Sequence, residues 1–210
     1  KRYRDTIAWG VATGRSLELT IEAMTEYNIP IPDILICSVC TEIYYGPDFR
    51  IDKGWQQHIS HKWRPEQIKS TLADLEFLDS QEAEGQRSFK ISYYMRPGKD
   101  RLAQIHNRLL QNKCRYNLIY SHDKYLDILP YRASKGKAIR YISYKWEIPL
   151  RHFLVCGDSG NDEEMLRGEP LAVVVGNYSQ ELRALKGSRN VFFARRACAG
   201  GILEGLQRYN

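Results

Sequence analysis

The apolar positions of this chain gather in short runs, and most runs end at a turn. Phe153-Leu154-Val155-Cys156 predicts a buried strand, and Glu163-Glu164-Met165-Leu166 predicts the first turns of a helix. Between them lies Gly157-Asp158-Ser159-Gly160-Asn161-Asp162, a loop at the carboxyl end of a strand. Near the start, Ile7-Ala8-Trp9-Gly10-Val11-Ala12 predicts a strand that ends in Thr13-Gly14-Arg15-Ser16, and residues 17–27 carry apolar positions at helical spacing up to Pro30. Residues 33–38 predict a second buried strand and 41–45 a short third one that stops at Gly46-Pro47. Toward the end, the pattern predicts a strand over 171–175, the turn Gly176-Asn177, a helix over 179–185 capped by Ser179, a strand over 191–193 and a helix over 199–206.

The middle of the chain has a different texture. Residues 48–126 are richer in charge and aromatics, with Trp55, His58, His61 and Trp63 close together. An amphipathic segment over 65–78 is followed by a polar loop over 79–86 and a half-exposed strand over 89–95. A helix over 99–111 then carries Leu102, Ile105, Leu109 and Leu110, and strands follow over 116–120 and 125–129. This order predicts a small α+β unit inserted between two halves of an α/β core: residues 1–47 and 131–210 as core, 48–130 as the insert. A helix over 134–146 returns the chain to the core.

Charge and cysteine usage narrow the chemistry. The net charge of +6 suits an anionic substrate, but the 31 basic and 25 acidic residues are interspersed, so nothing supports nucleic-acid binding. No apolar run approaches the roughly 18 residues of a membrane span. Five cysteines, mostly in apolar runs, suit reduced buried thiols and a cytoplasmic setting. Cys37-x-x-Cys40 resembles half of a zinc site, with no second Cys or His pair at ligand spacing.

Three places carry candidate chemistry. Asp158 and Asp162 offer hard oxygen ligands of the kind Mg²⁺ prefers, at the sheet edge where α/β proteins bind ligands; the same residue types also suit turns and helix caps. The strand, Thr-Gly turn and helix start at residues 12–17 suit a phosphate cradle, and equally a helix capped by Thr13 or Ser16. Lys135 falls in the first turn of its helix, where the dipole disfavours a cation; a nearby phosphoryl group and carboxylates would give it a reason to be there. Asn177 stands at another strand's carboxyl end, as a site or a turn residue.

In this order, Ala12-Thr13-Gly14-Arg15, Lys135 and Gly157-Asp158-x-x-x-Asp162 resemble the second, third and fourth motifs of the haloacid dehalogenase superfamily. Thr41-Glu42-Ile43-Tyr44-Tyr45, Lys90-Ile91-Ser92-Tyr93, Asp127-Ile128-Leu129-Pro130 and Ser134-Lys135-Gly136 narrow the resemblance over nearly the whole chain. They are similar to the sucrose-phosphate phosphatases and to the phosphatase-like C-terminal region of sucrose-phosphate synthases. The resemblance implies a Rossmann-like core with an inserted cap of the C2 type, Mg²⁺, and hydrolysis of sucrose 6-phosphate through an aspartyl phosphate. It assigns phosphoryl contacts to Thr13 and Lys135, metal binding to Asp158, and support of the metal site through a water or through Lys135 to Asp162. Gly14, Glu42, Lys90, Asn161 and Asn177 are implied as substrate contacts, whereas a buried aromatic and a surface histidine account for Trp55 and His58.

The first motif of that superfamily, Asp-x-Asp-x-Thr, does not occur in the 210 residues. The resemblance places it on the order of 30 residues before Lys1, one βα unit away. Lys1-Arg2-Tyr3-Arg4 reads as the polar end of a helix, so the expectation is a piece of a longer protein that begins in mid-domain and is inactive alone. Three readings compete: a phosphatase of sucrose 6-phosphate, standing alone or fused to a synthase; a non-catalytic domain that regulates or docks on a sucrose-phosphate synthase; and a sister phosphatase for another sugar phosphate.

Overall fold

A computed structural model describes residues 7–121 and 123–209, the side chain of Glu84 apart. The helix end expected at Lys1 to Arg4 lies outside the described residues. The chain divides into two compact units, residues 1–133 and 134–210.

The first unit holds two sheets. One has the order β1-β2-β3-β4, built from β1 (Gly10–Ala12), β2 (Ile34–Cys37), β3 (Glu42–Tyr45) and β4 (Arg50–Ile51). β1 and β2 run parallel, with Val11 opposite Leu35, and are joined by helix α1 (Leu17–Glu26); the other pairs are antiparallel. Every residue of β2 is buried, as its unbroken apolar run demands. The first strand is shorter than the expected 7–12: the Trp9 carbonyl still accepts from the Asp33 N–H at 3.0 Å, but the Trp9 N–H turns to Asp33 Oδ2 at 2.9 Å. Ser16, not Thr13, caps α1 by accepting from the Leu19 N–H.

β4 carries this sheet past residue 47, where the insert was expected to begin. Helix α2 (Lys53–Ser60) follows, capped by Asp52, whose Oδ1 accepts from the Trp55 N–H at 3.0 Å. Trp55 and Ile59, four residues apart on one helix face, are fully buried, and the Trp55 indole N–H donates to the Cys40 carbonyl at 3.1 Å.

The second sheet is antiparallel throughout, in the order β5-β6-β8-β7: β5 (Leu78–Ser80), β6 (Ile91–Met95), β7 (Tyr116–Ser121) and β8 (Tyr125–Pro130). Helices α3 (Pro65–Leu72) and α4 (Arg101–Gln111) bury Ile68, Leu72, Ile105 and Leu109 in one core with Ile91, Met95, Leu126 and Ile128. The segment expected as one amphipathic stretch over 65–78 breaks after Leu72, since a turn closed by Leu75 N–H to Leu72 C=O redirects the chain into β5. Part of the expected loop over 79–86 is therefore strand. Leu110, expected on the apolar face of α4, points outward at 64% exposure.

The second unit is a three-stranded parallel sheet, β11-β10-β9, from β9 (Leu154–Gly157), β10 (Leu171–Val174) and β11 (Val191–Phe193). Helices α5 (Lys135–Lys145), α6 (Glu163–Leu166) and α7 (Cys198–Tyr209) accompany it. α7 lies close on β10 because Gly205 has no side chain; a Cβ there would sit 2.2 Å from Val173 Cγ2. The helix expected over 179–185 is a 3₁₀ turn (Gln180–Leu185), and Ser179 does not cap it. Its hydroxyl donates instead to Glu181 Oε2. Among the described residues, no helix is long and apolar enough to cross a membrane.

Candidate active site

In the second unit, β9 delivers the chain at Gly157 to the loop that carries Asp158, Asn161 and Asp162. The loop closes on itself around Asp162, which is 3% exposed. Its Oδ2 accepts from the backbone N–H groups of Asp158 and Ser159 at 3.0 and 3.1 Å. The Ser159 hydroxyl lies 3.2 Å from the same oxygen and 2.9 Å from Asn161 Oδ1, and its single proton serves one of the two. Oδ1 of Asp162 accepts from Lys135 Nζ at 2.5 Å. Glycine is required at 157 for this closure, since a Cβ would meet that of Asp162 at 2.5 Å.

Lys135 enters from the first turn of α5, whose N-terminus is capped by Ser134 accepting from the Lys137 N–H at 3.1 Å. Its ammonium also donates to Asn161 Oδ1 at 3.1 Å. The pair with Asp162 is shielded, the two side chains being 10% and 4% exposed, so the carboxylate offsets the unfavourable dipole at this helix end. The loop is braced from the other side by Glu181, which accepts from the Gly160 N–H at 3.0 Å, while the Ser179 N–H donates to the Asp158 carbonyl at 2.7 Å. Asn177 belongs to a different arrangement: its Oδ1 accepts from the Cys198 N–H at 2.8 Å and so holds the start of α7.

Asp158 differs from its neighbours. It is exposed, and its carboxylate has no hydrogen-bond partner among the described residues. An unengaged carboxylate at a strand's carboxyl end is the donor a small hard dication takes when it keeps several waters and shares a substrate phosphate, so this residue fits Mg²⁺. Both oxygens of Asp162 are already engaged by the chain. No group of three or more His, Cys, Asp or Glu side chains could hold a metal by itself among the described residues, and Cys37 and Cys40 are buried free thiols. Burial pushes the Cys37 and Cys156 thiols up to about 11, which makes both poor nucleophiles.

In the first unit, the Thr13 N–H continues the ladder to the Ile36 carbonyl at 2.8 Å, and its hydroxyl accepts from the Arg15 N–H at 3.2 Å. As an acceptor in that bond the Thr13 hydroxyl keeps its proton to donate elsewhere, beside an exposed Gly14. Glu42, at the start of β3, accepts from the Ser38 hydroxyl at 2.6 Å and faces Arg87 at 4.0 Å. Lys90 donates to Ser92 Oγ at 2.8 Å and lies 3.6 Å from Asp127, to which Ser92 donates at 2.5 Å. Ser92 is fully buried, and Gln86 grips its backbone on both sides, accepting from its N–H at 3.0 Å and donating to its carbonyl at 2.8 Å. The sequence offers Ser38, Arg87, Ser92, Asp127 and Glu181 only as turn, loop, strand or helix positions, and the partnerships of Arg87 with Glu42, Ser92 with Asp127 and Glu181 with Gly160 join residues far apart in the chain.

The fold is that of the haloacid dehalogenase-like hydrolases, as solved structures show. The structure of such a hydrolase from Bacillus subtilis shares it with a TM-score of 0.68 at 19% identity, over 95% of this chain and 76% of that one. The family described as sucrose-6F-phosphate phosphohydrolase matches residues 1–210, and the chain belongs to it. Sucrose-phosphatase 1 of Nicotiana tabacum is 34% identical over 219 residues, which cover 99% of this chain and 52% of that protein. The chain thus spans about half the length of the curated relatives it matches. The structure of the sucrose-phosphatase from Synechocystis sp. PCC6803, in complex with sucrose and phosphate, matches with a TM-score of 0.90 at 28% identity, over 99% of this chain and 86% of that one.

Proposed function

We propose that this chain contributes to a Mg²⁺-dependent phosphatase that hydrolyses sucrose 6-phosphate to sucrose and phosphate through an aspartyl phosphate. The observation that carries the reading is the family match over all 210 residues. In this reading residues 48–130 form the sugar-recognition insert and the remainder the core. The attacking carboxylate belongs to an Asp-x-Asp-x-Thr word that the 210 residues do not contain.

The residues present bind and orient. The Thr13 hydroxyl and the Lys135 ammonium are the proposed donors to phosphoryl oxygens, since fixed donors stabilise developing charge. Asp158 holds Mg²⁺, which when bound neutralises charge on the phosphoryl group. Asp162 acts through Lys135 and through the backbone of its own loop. Glu42 and Lys90 face the sugar, with Gly14, Asn161 and Asn177 as further substrate contacts. The partner is the sugar phosphate itself, and a joined synthase module draws no support from the relatives. Free cysteines suit a reducing compartment, and we place the protein in the cytoplasm.

Steady-state phosphate release by the full-length protein tests this. We expect kcat/KM for sucrose 6-phosphate to exceed that for fructose 6-phosphate by roughly 100-fold or more, since unpaired sugar-binding groups penalise the smaller ester. Equal values would remove the disaccharide from the assignment, and no release from either ester would remove the phosphatase.

A further inference from the structure

The turn between β2 and β3 is the most strained stretch of backbone in the first unit. Ser38, Val39 and Cys40 take φ of 51°, 55° and 69° in succession, without a glycine among them. The left-handed region is costly for any residue with a Cβ, and the β-branched Val39 is the least suited of the three. All three are buried, at 1%, 6% and 1% exposure. A glycine would serve the reversal with less strain, so the side chain kept at 38 has a use.

That use is visible in its partners. The Ser38 N–H donates to the Arg15 carbonyl at 2.7 Å, in the loop that carries Thr13. Its hydroxyl donates to Glu42 Oε2 at 2.6 Å. The other face of the turn is locked as well: the Ser38 carbonyl accepts from the Thr41 N–H and hydroxyl at 3.2 and 2.8 Å, and the Cys40 carbonyl accepts from the Trp55 indole. One buried residue is therefore bonded both to the Thr13 loop and to the Glu42 carboxylate, and the left-handed backbone aims its N–H and its hydroxyl at those two targets.

We propose that Ser38 is a positioning residue that fixes the Glu42 carboxylate in register with the Thr13 loop and thereby sets affinity for the sugar. The inference rests on the reading of Glu42 as sugar-facing. A hydrogen bond to a charged group changes an equilibrium by roughly 10- to 100-fold. Loss of orientation alone takes the lower end of that range.

The experiment is a double-mutant cycle in the full-length protein with Ser38→Gly, Glu42→Gln and the pair, read as KM and kcat on sucrose 6-phosphate and on p-nitrophenyl phosphate, which has no sugar. Glycine removes the hydroxyl while suiting the left-handed backbone, so the thermal midpoint should not fall below that of wild type. We expect Ser38→Gly to raise KM for sucrose 6-phosphate about 10-fold, with kcat within about twofold and p-nitrophenyl phosphate unaffected. In the Glu42→Gln background the same change should add less than about twofold. A wild-type KM in Ser38→Gly beside a raised one in Glu42→Gln would overturn the positioning role and leave Glu42 as a sugar ligand. Wild-type KM in both variants would overturn the reading of Glu42 as well. A full-sized Ser38→Gly effect in the Glu42→Gln background would show that Ser38 does not act through Glu42.

Discussion

Lys135→Ala in the full-length protein lowers turnover of sucrose 6-phosphate by roughly 100-fold or more and destabilises the fold at the same time. The rate effect follows from the proposed role of Lys135 as a fixed cation for the phosphoryl group, the largest kind of term in such sites. The stability effect follows from Asp162. Its carboxylate is 4% exposed and loses its cation, keeping the backbone donors of Asp158 and Ser159. Breaking a buried pair from one side costs about 3–5 kcal/mol where the remaining charge has no other partner. The backbone donors bring the expected loss to about 2–3 kcal/mol. Urea midpoints and kcat measured on one preparation check both halves. A normal rate with a lowered midpoint would make Lys135 a structural cation.

Asp158→Ala should separate what Lys135→Ala joins. Phosphate release should fall to background if, as proposed, the residue holds Mg²⁺. Stability should stay within about 0.5 kcal/mol of wild type, as expected for an exposed carboxylate without a hydrogen-bond partner among the described residues. Circular dichroism melts beside the phosphate assay read the two quantities. An Asp158→Ala protein that hydrolyses as fast as wild type would withdraw the metal assignment from this residue.

The sequence shows the two elements around this loop because their signals are local. An unbroken apolar run, a glycine turn and acidic first-turn residues announce β9 and α6, and Ser134 announces the start of α5. The signal of α2 is equally local, an Asp52 cap followed by Trp55 and Ile59 on one face. The left-handed turn at Ser38 to Cys40 carries no glycine, asparagine or proline to mark it, and side-chain bonds from Thr41, Glu42 and Trp55 hold it. Ser179 illustrates a further limit: a hydroxyl at a helix start reads as a cap, yet a carboxylate two residues on takes its proton. Polar partnerships such as Lys90 with Asp127, or Arg87 with Glu42, join residues far apart in the chain, where periodicity is silent.

Metal dependence tests the central claim most directly. Phosphate released from sucrose 6-phosphate by the full-length protein is followed in Mg²⁺, after EDTA, and after Mg²⁺ is restored. Release should stop with chelation and return with the ion. Hydrolysis that continues undiminished in EDTA would contradict the account.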